Sequence, residues 1–262
     1  MKPRDRELAL RLQDGLLSFA REKRALPGIR AAAKRNAFLE QILESIHRVK
    51  FIAAVRKQKL SDRRLDPSDE LFDPLKAAIL HQRKGNVEEA FWLVFLFVHF
   101  GKHTRAGWRY AREVYGRLGS GRWDWKRTSA NPEEFCAWLD AHQDDLKGDG
   151  VSRGFGNHRK YESLSGSSPN GTGAAVKSYV GWINPPRTHQ ELMKEALDRV
   201  GGDPRRGFDD IYRSMKAVTR FGRTARFDYL TMVGKLGLAP IEPGSPYLQG
   251  STGPSNPDYS HL

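Results

Sequence analysis

The stretch RFGRTARFDYLTMVGKLGLAPIEPG, residues 220–244, carries the turn and the helix on which our prediction of the fold rests. An Arg-Phe-Gly-Arg turn leads directly into a helical pattern that begins at Thr224, a residue type that caps helix N-termini. Apolar side chains then recur at helical spacing, at Phe227, Leu230, Val233 and Leu236. Before the turn, Asp203 and Pro204 predict the start of another helix. The sequence therefore predicts two helices joined by a short turn over residues 204–236.

Helical signals dominate the rest of the chain as well. Asn-Pro at 131–132 predicts a helix start, and THQE at 188–191 is a capping box. The most apolar run, AFWLVFLFVHF at 90–100, is shorter than the roughly 20 residues of a membrane span, so we predict a helix buried on all sides. Residues 146–172 are rich in Gly, Ser and Asn and form one long irregular stretch. Strand-like alternation is scarce, and we predict a single all-α domain over residues 1–262.

Positive charge is in excess and unevenly distributed. Lys and Arg number 44 against 31 Asp and Glu, a formal net charge of +13. Residues 1–64, which we predict to form basic N-terminal helices, hold 17 Lys and Arg against 7 acids, and residues 204–235 hold 8 against 3. This excess favours a polyanionic partner, because phosphate contacts supply most of the non-specific affinity of proteins for nucleic acids. A soluble basic protein without such a partner is the alternative.

The sequence also bears on where the protein works. Cys136 is the one cysteine, so we expect no disulfide framework and no thiolate metal cluster. The N-terminus is charged from its second residue, which argues against a secretory signal. We therefore expect a cytoplasmic protein that has no membrane segment, and we take it to be a monomer.

Two helices joined by such a turn suit the binding of a DNA backbone. The turn would point backbone N–H groups and the positive end of the second helix at a phosphate. Gly222 would let the backbone approach closely, and the guanidinium groups of Arg220 and Arg223 would add charge-assisted hydrogen bonds. The other predicted DNA contacts are Thr224, Arg226, Lys235, Arg159 and Lys160. An ordinary αα-hairpin that contains a glycine would look the same in sequence and is the alternative.

This pattern resembles DNA glycosylases of the helix-hairpin-helix superfamily. In those enzymes a Gly-rich hairpin leads into a helix that begins with Thr-Ala, and a catalytic carboxylate follows that helix. Here Gly222 is followed by Arg-Thr-Ala, and Glu242 stands where the family keeps its carboxylate. Arg220 occupies the place of the first glycine and the loop is shorter, so the resemblance is partial.

A second resemblance covers nearly the whole chain. It is carried by the segments EEAFWLVFLFVHFGKH, FGNHRKYESL, GTGAAVKSYVGWI and FGRTARFDYLTMVGKLGLAPIEPGSPYLQGSTGP. These resemble the α-glutamyl/putrescinyl thymine pyrophosphorylase family, in its third clade. That family is similar to helix-hairpin-helix glycosylases in fold, is associated with hypermodified phage pyrimidines, and has bacterial relatives that look like phage-defence DNA glycosylases. The resemblance implies a DNA base as substrate and leaves open whether the enzyme installs a modification or removes the base.

Acidic residues are the candidates for chemistry at the sugar. Cleavage of an N-glycosidic bond passes through a positively charged sugar, and a carboxylate beside C1′ can stabilise that charge or activate a water. Glu242 is our first candidate because it follows the turn that would hold the phosphate, and Asp228 is the second. An exposed loop acid is the alternative for Glu242, and an acid that stabilises the helix dipole is the alternative for Asp228. Glu162 is a lesser candidate.

A base that is to be processed must leave the DNA stack, so the enzyme needs a pocket for it. The predicted pocket residues are Trp92, His99, Lys102, His103, Asn157, His158 and Tyr161. His99 and His103 are four residues apart and would also suit a metal pair, but no third ligand lies at a recognised spacing. We therefore expect neither a metal nor another cofactor. A core histidine is the alternative for His99, a charge at a helix end for Lys102, and a solvated loop for residues 157–161.

Together these features predict a monofunctional DNA N-glycosylase. It would excise a hypermodified, 5-substituted pyrimidine, for example a glycosylated one, from phage DNA in antiviral defence. One alternative is a pyrophosphorylase, in which an amine displaces pyrophosphate from an activated hydroxymethyl pyrimidine. The other is a DNA-binding module without catalysis.

Overall fold

The all-α class is confirmed by the computed structural model, which describes residues 5–148, 154–156, 162–245 and 247. Within these residues the regular elements are α-helices and short 3₁₀-helices, and no β-strand is formed. None of the described helices is both long and apolar enough to cross a membrane. The chain divides into two compact units, residues 1–57 with 248–262 and residues 58–247. The prediction that they act as one domain stays a prediction.

The described residues of the first unit form two α-helices. Helix α1 (Arg6–Glu22) is followed by a 3₁₀ turn (Pro27–Ile29) and by helix α2 (Ala32–Lys57). Leu39 and Leu43 of α2 are buried, one helical turn apart on the same face.

The second unit contains ten helices among its described residues. They are α3 (Pro74–Arg83), α4 (Val87–Phe100), α5 (Arg109–Tyr115), α6 (Trp125–Ala130), α7 (Pro132–Ala141), α8 (Gln143–Lys147), α9 (Thr172–Ile183), α10 (His189–Arg199), α11 (Pro204–Ser214) and α12 (Arg223–Leu236). Short 3₁₀ segments lie at Asp62–Leu65, Arg117–Gly119 and Met215–Ala217.

Helix α4 is the centre of the second unit. Its residues 91–95 have no exposed surface, and helices α3, α5, α6, α10 and α12 pack around it. The prediction of a helix buried on all sides is therefore confirmed. The reason lies in its composition: a helix whose side chains are apolar around the whole circumference is stable only when every face has a packing partner.

The helix starts were predicted with mixed success. The side chains of Asn131 and Asp203 accept hydrogen bonds from the first turns of α7 and α11, and residues 188–191 form the expected capping box. The prediction that Thr224 caps α12 is wrong. The N-cap of α12 is Gly222, which has no side chain to accept a bond, and Thr224 is exposed in the first turn.

Helices α12 and α4 are antiparallel. Phe221, just before α12, stacks on Phe95 with ring centroids 4.8 Å apart, in the C-terminal half of α4. At the other end, Gln82 near the end of α3 donates its side-chain N–H to the carbonyl of Gly237, which follows α12. Since α3 leads by a short turn into the start of α4, the beginning of α12 lies at the C-terminal end of α4.

Candidate functional site

The hairpin turn, residues 218–222, is anchored by one aromatic side chain. Phe221 is buried against Phe95 and His99, with centroid distances of 4.8 and 6.3 Å. The preceding residue, Arg220, has a φ of 65°, in the left-handed region that favours glycine. This conformation turns the chain so that Phe221 points inward.

The guanidinium group of Arg220 is engaged inside the protein. Its Nε and Nη2 donate to the two carboxylate oxygens of Glu162 at 2.8 and 3.3 Å. The Glu162 side chain is only 9% exposed, so its carboxylate is largely shielded from water, whereas the Arg220 side chain is 30% exposed. The pair raises the pKa of Arg220, first through the hydrogen bond from its guanidinium to Glu162. In this arrangement Arg220 shapes the turn, and Glu162 holds the guanidinium group of Arg220 in place.

The N-terminal end of α12 is open. Gly222 offers no capping side chain, and no atom of the described residues lies within 4 Å of the position that a Cβ would take there. The first α-helical hydrogen bond runs from the N–H of Arg226 to the carbonyl of Gly222, so the N–H groups of residues 223–225 precede the ladder. Such N–H groups, together with the helix dipole, favour an anion.

Two predicted DNA contacts lie beside this open end. Arg223 donates to the carbonyl of Tyr247 at 3.2 Å, and Arg226 donates to the carbonyl of Tyr212 at 3.0 Å. The Arg226 guanidinium also lies over the Tyr212 ring, 4.4 Å from its centroid. Both arginines are bonded to neutral acceptors there, so their positive charges are not cancelled by these contacts. Lys235 is two and a half turns further along α12, away from the turn.

Three of the predicted pocket residues lie at the C-terminal end of α4. His99 is fully buried, and its Nε2 is 2.9 Å from the hydroxyl of Thr172. His103 accepts the N–H of Ala106 at its Nδ1, 3.0 Å away. Lys102 is exposed between them. The structure thus brings these residues to the same end of α4 as the hairpin turn, although His99 belongs to the core.

Trp92 is a core residue. It has no exposed surface and donates its indole N–H to the carbonyl of Trp123 at 2.8 Å, so it does not line an open pocket. The remaining predictions for the pocket and for DNA contact lie outside the described residues. They are Asn157, His158, Arg159, Lys160 and Tyr161.

Glu242 lies at the far end of α12 from the hairpin turn. Its N–H bonds to the carbonyl of Pro204, its carboxylate accepts from Arg205 at 2.9 Å, and 58% of its side chain is exposed. It borders an open depression of ≈ 420 Å³ beside the end of α12. A helix rises about 1.5 Å per residue, so the length of α12 puts about 20 Å between the two ends. The structure does not bring Glu242 to the turn.

Asp228 is the candidate acid that lies closer to the turn. It is exposed on α12, four residues beyond Thr224, which is about 6 Å along the helix axis. Burial lowers the pKa of Lys235, and the negative charge of Asp228 partly opposes that shift. A sugar bound next to a phosphate at the open end of α12 would therefore be nearer to Asp228 than to Glu242.

A buried hydrogen-bond chain links four helices and was not predicted. His189 Nδ1 is 2.6 Å from Glu88, His189 Nε2 is 2.6 Å from the hydroxyl of Tyr179, and this hydroxyl is 2.9 Å from that of Tyr229. Burial lowers the pKa of His189, which favours a neutral ring that donates to Glu88 and accepts from Tyr179. In the sequence, Glu88 is recognisable only as an acid in the first turn of a helix. No sequence signal therefore predicts this chain of hydrogen bonds.

The amino-acid sequence matches the model of a known protein family. The model of the α-glutamyl/putrescinyl thymine pyrophosphorylase family, clade 3, matches residues 33–258. The chain belongs to this family. Searches of curated proteins and of solved structures found no match.

The matched range of the thymine pyrophosphorylase family includes the whole of the second unit, with the hairpin turn, α4 and the candidate acids. The family's name refers to the processing of a modified thymine, a DNA base. The match assigns no role to an individual residue. The similarity to helix-hairpin-helix glycosylases stays a prediction.

Proposed function

We propose that this member of the thymine pyrophosphorylase family is a DNA N-glycosylase that removes a 5-substituted pyrimidine from phage DNA in antiviral defence. The observation that carries the proposal is the open N-terminal end of α12, which presents uncapped N–H groups and Arg223 beside the C-terminal end of α4. Family membership supports a modified pyrimidine as the target.

DNA binding is assigned to the open end of α12. A backbone phosphate accepts hydrogen bonds from the N–H groups of residues 223–225 and from the hydroxyl of Thr224, while Arg223 and Arg226 supply positive charge. Gly222 lets the phosphate approach, because the described residues leave open space where a side chain would be. This end of the helix is exposed, so it needs no rearrangement of the core to meet DNA.

Hydrolysis is assigned to the side of α12 that carries Asp228. The bond between C1′ and the base nitrogen breaks, the base leaves with the bonding electrons, and the sugar becomes positively charged. The Asp228 carboxylate stabilises that charge and takes a proton from the attacking water, whose oxygen bonds to C1′. Asp228 then returns to its ionised form by passing that proton to the nitrogen of the departing base, so the products are the free base and an abasic site. Glu242 is the second candidate for this role, and its distance from the turn places it behind Asp228.

The test is the release of a free base from phage DNA that carries modified cytosine or thymine, followed by mass spectrometry and by counting abasic sites. Asp228→Asn should lower the rate by at least about 100-fold, as expected for the loss of a group that transfers a proton. Asp198→Asn, on α10 at an exposed carboxylate paired with Lys194, is the matched control and should keep full activity. If Glu242→Gln loses activity while Asp228→Asn keeps it, the catalytic acid is Glu242, at the other end of α12. If wild-type protein binds DNA but releases no base, it is a DNA-binding module or performs other chemistry.

The second candidate function follows from the family description itself. In a pyrophosphorylase, an amine nitrogen attacks the exocyclic carbon of an activated hydroxymethyl pyrimidine, the carbon–oxygen bond breaks, and pyrophosphate leaves. The base stays attached to its sugar. Release of pyrophosphate in the presence of an amine, with no abasic sites, would establish this reaction in place of the first.

A further inference from the structure

A second concave site lies at the C-terminal end of α4, formed by two stretches of chain, residues 64–76 and residues 102–112. This basic depression has a volume of ≈ 330 Å³ and is lined by residues of the 3₁₀ turn at 62–65, of the segment 70–76, of the turn at 102–108 and of α5. Five cationic side chains line it: Arg64, Lys76, Lys102, Arg109 and Arg112. The acids in its lining are Glu70 and Asp73, and Arg109 is paired with Glu113 at 2.9 Å, so two positive charges are in excess.

The positive charge of the basic depression is only partly neutralised by these acids. Asp73 accepts the N–H groups of Leu75 and Lys76 as the cap of α3, and its carboxylate is 3.7 Å from the Lys76 ammonium. Among the described residues, Lys102 and Arg112 form no ion pair with an acid. These two side chains are the ones most able to bind an added anion.

The wall of the basic depression also contains an aromatic side chain, that of Trp108. Trp108 packs against Phe97 with ring centroids 5.0 Å apart, and it lines the depression. Its indole nitrogen is buried and has no hydrogen-bond acceptor among the described residues. A buried N–H without a partner is costly.

We propose that the basic depression binds a phosphate group. Arginine and lysine side chains on several sides of a concave site bind phosphate oxygens through charge-assisted hydrogen bonds, and a metal ion or a purely apolar ligand would be rejected by this charge. The phosphate group has two possible sources, the backbone of bound DNA and free pyrophosphate. The proposal concerns a site separate from the open end of α12 and holds whether or not the protein is a glycosylase.

The first arm of the test uses inorganic pyrophosphate and isothermal titration of the whole protein. Lys102→Gln and Arg112→Gln should each weaken binding about tenfold, the effect expected for the loss of a charged hydrogen-bond donor. Lys194→Gln and Arg199→Gln remove the same charges from exposed positions outside the depression and should leave binding unchanged. Lys102→Arg should restore it, which separates loss of charge from loss of folding.

The second arm measures binding to a short DNA duplex as a function of salt concentration. If the phosphate belongs to DNA, the slope of log affinity against log salt falls by about one in Lys102→Gln and in Arg112→Gln, because one fewer counterion is released. An effect on pyrophosphate alone identifies the free anion as the ligand. If neither pyrophosphate affinity nor the salt slope differs between these variants and the two controls, the proposal is overturned.

Discussion

Replacing Glu89 with glutamine should change how the stability of the protein depends on pH. The Glu89 side chain lies in the core at 4% exposure and accepts two hydrogen bonds of 2.7 Å, from the hydroxyl of Tyr115 and from the N–H of Trp125. Burial raises its pKa from 4.5 to about 7, because an ionised carboxylate is poorly solvated there and the two hydrogen bonds only partly compensate. The folded state therefore binds a proton at Glu89 more tightly than the unfolded chain.

The sign and the size of the pH effect on stability follow from this pKa shift. A raised pKa contributes stability that is fully present below pH 4.5 and is lost as the pH rises through about 7. A shift of this size corresponds to about 3 kcal/mol of unfolding free energy. Glutamine cannot ionise, so Glu89→Gln removes the loss of stability that wild type undergoes as the pH rises. It also weakens one hydrogen bond, at a cost of about 1 kcal/mol at every pH.

The measurement is the free energy of unfolding in urea, monitored by tryptophan fluorescence in buffers from about pH 4 to about pH 9. It is made on wild type and on Glu89→Gln. The variant should be about 1 kcal/mol less stable than wild type at the acid end and about 2 kcal/mol more stable at the alkaline end. Glu133→Gln, at an exposed carboxylate paired with Lys177, serves as control and should show no gain in stability at the alkaline end. A constant difference for Glu89→Gln would refute the reasoning.

Two further pairs of variants test the packing and the helix starts. Gly166→Ala should destabilise the protein by about 3 kcal/mol, because its Cβ would lie 1.9 Å from the carbonyl oxygen of Cys136. Gly181→Ala, in α9 where no atom of the described residues lies within 4 Å of the new Cβ, should instead stabilise it by about 0.5–1 kcal/mol in the same urea assay. Asp203→Ala should cost about 1 kcal/mol through loss of the α11 cap, whereas Thr224→Ala should stay within about 0.5 kcal/mol. An equal cost for the last two would mean that Thr224 caps α12 after all.

Local patterns were sufficient for much of the fold. The Asn-Pro start of α7, the capping box at 188–191 and the Asp-Pro start of α11 were all predicted, because a cap acts on backbone groups within three residues of itself. The failure at α12 has a local cause too. Gly222 and Thr224 are both acceptable at a helix start, and packing of Phe221 into the core places the start at Arg223.

The candidate site was predicted only in part. Family membership and the position of the hairpin turn could be read from motifs, since these are contiguous in sequence. The distance from that turn to each acid could not, because it depends on where the chain goes after α12. The structure leaves Asp228 near the turn and takes Glu242 back beside Pro204.

The sequence by itself determined an all-helical, basic chain with a buried central helix and identifiable helix starts, because periodicity, caps and charge are properties of neighbouring residues. Only the tertiary structure decided that Glu162 holds Arg220, that His189 joins Glu88 to two tyrosines, and that cations between positions 64 and 112 share one depression. These groups meet because the helices pack around α4. Packing depends on the complementary shapes of distant side chains, which no local pattern records.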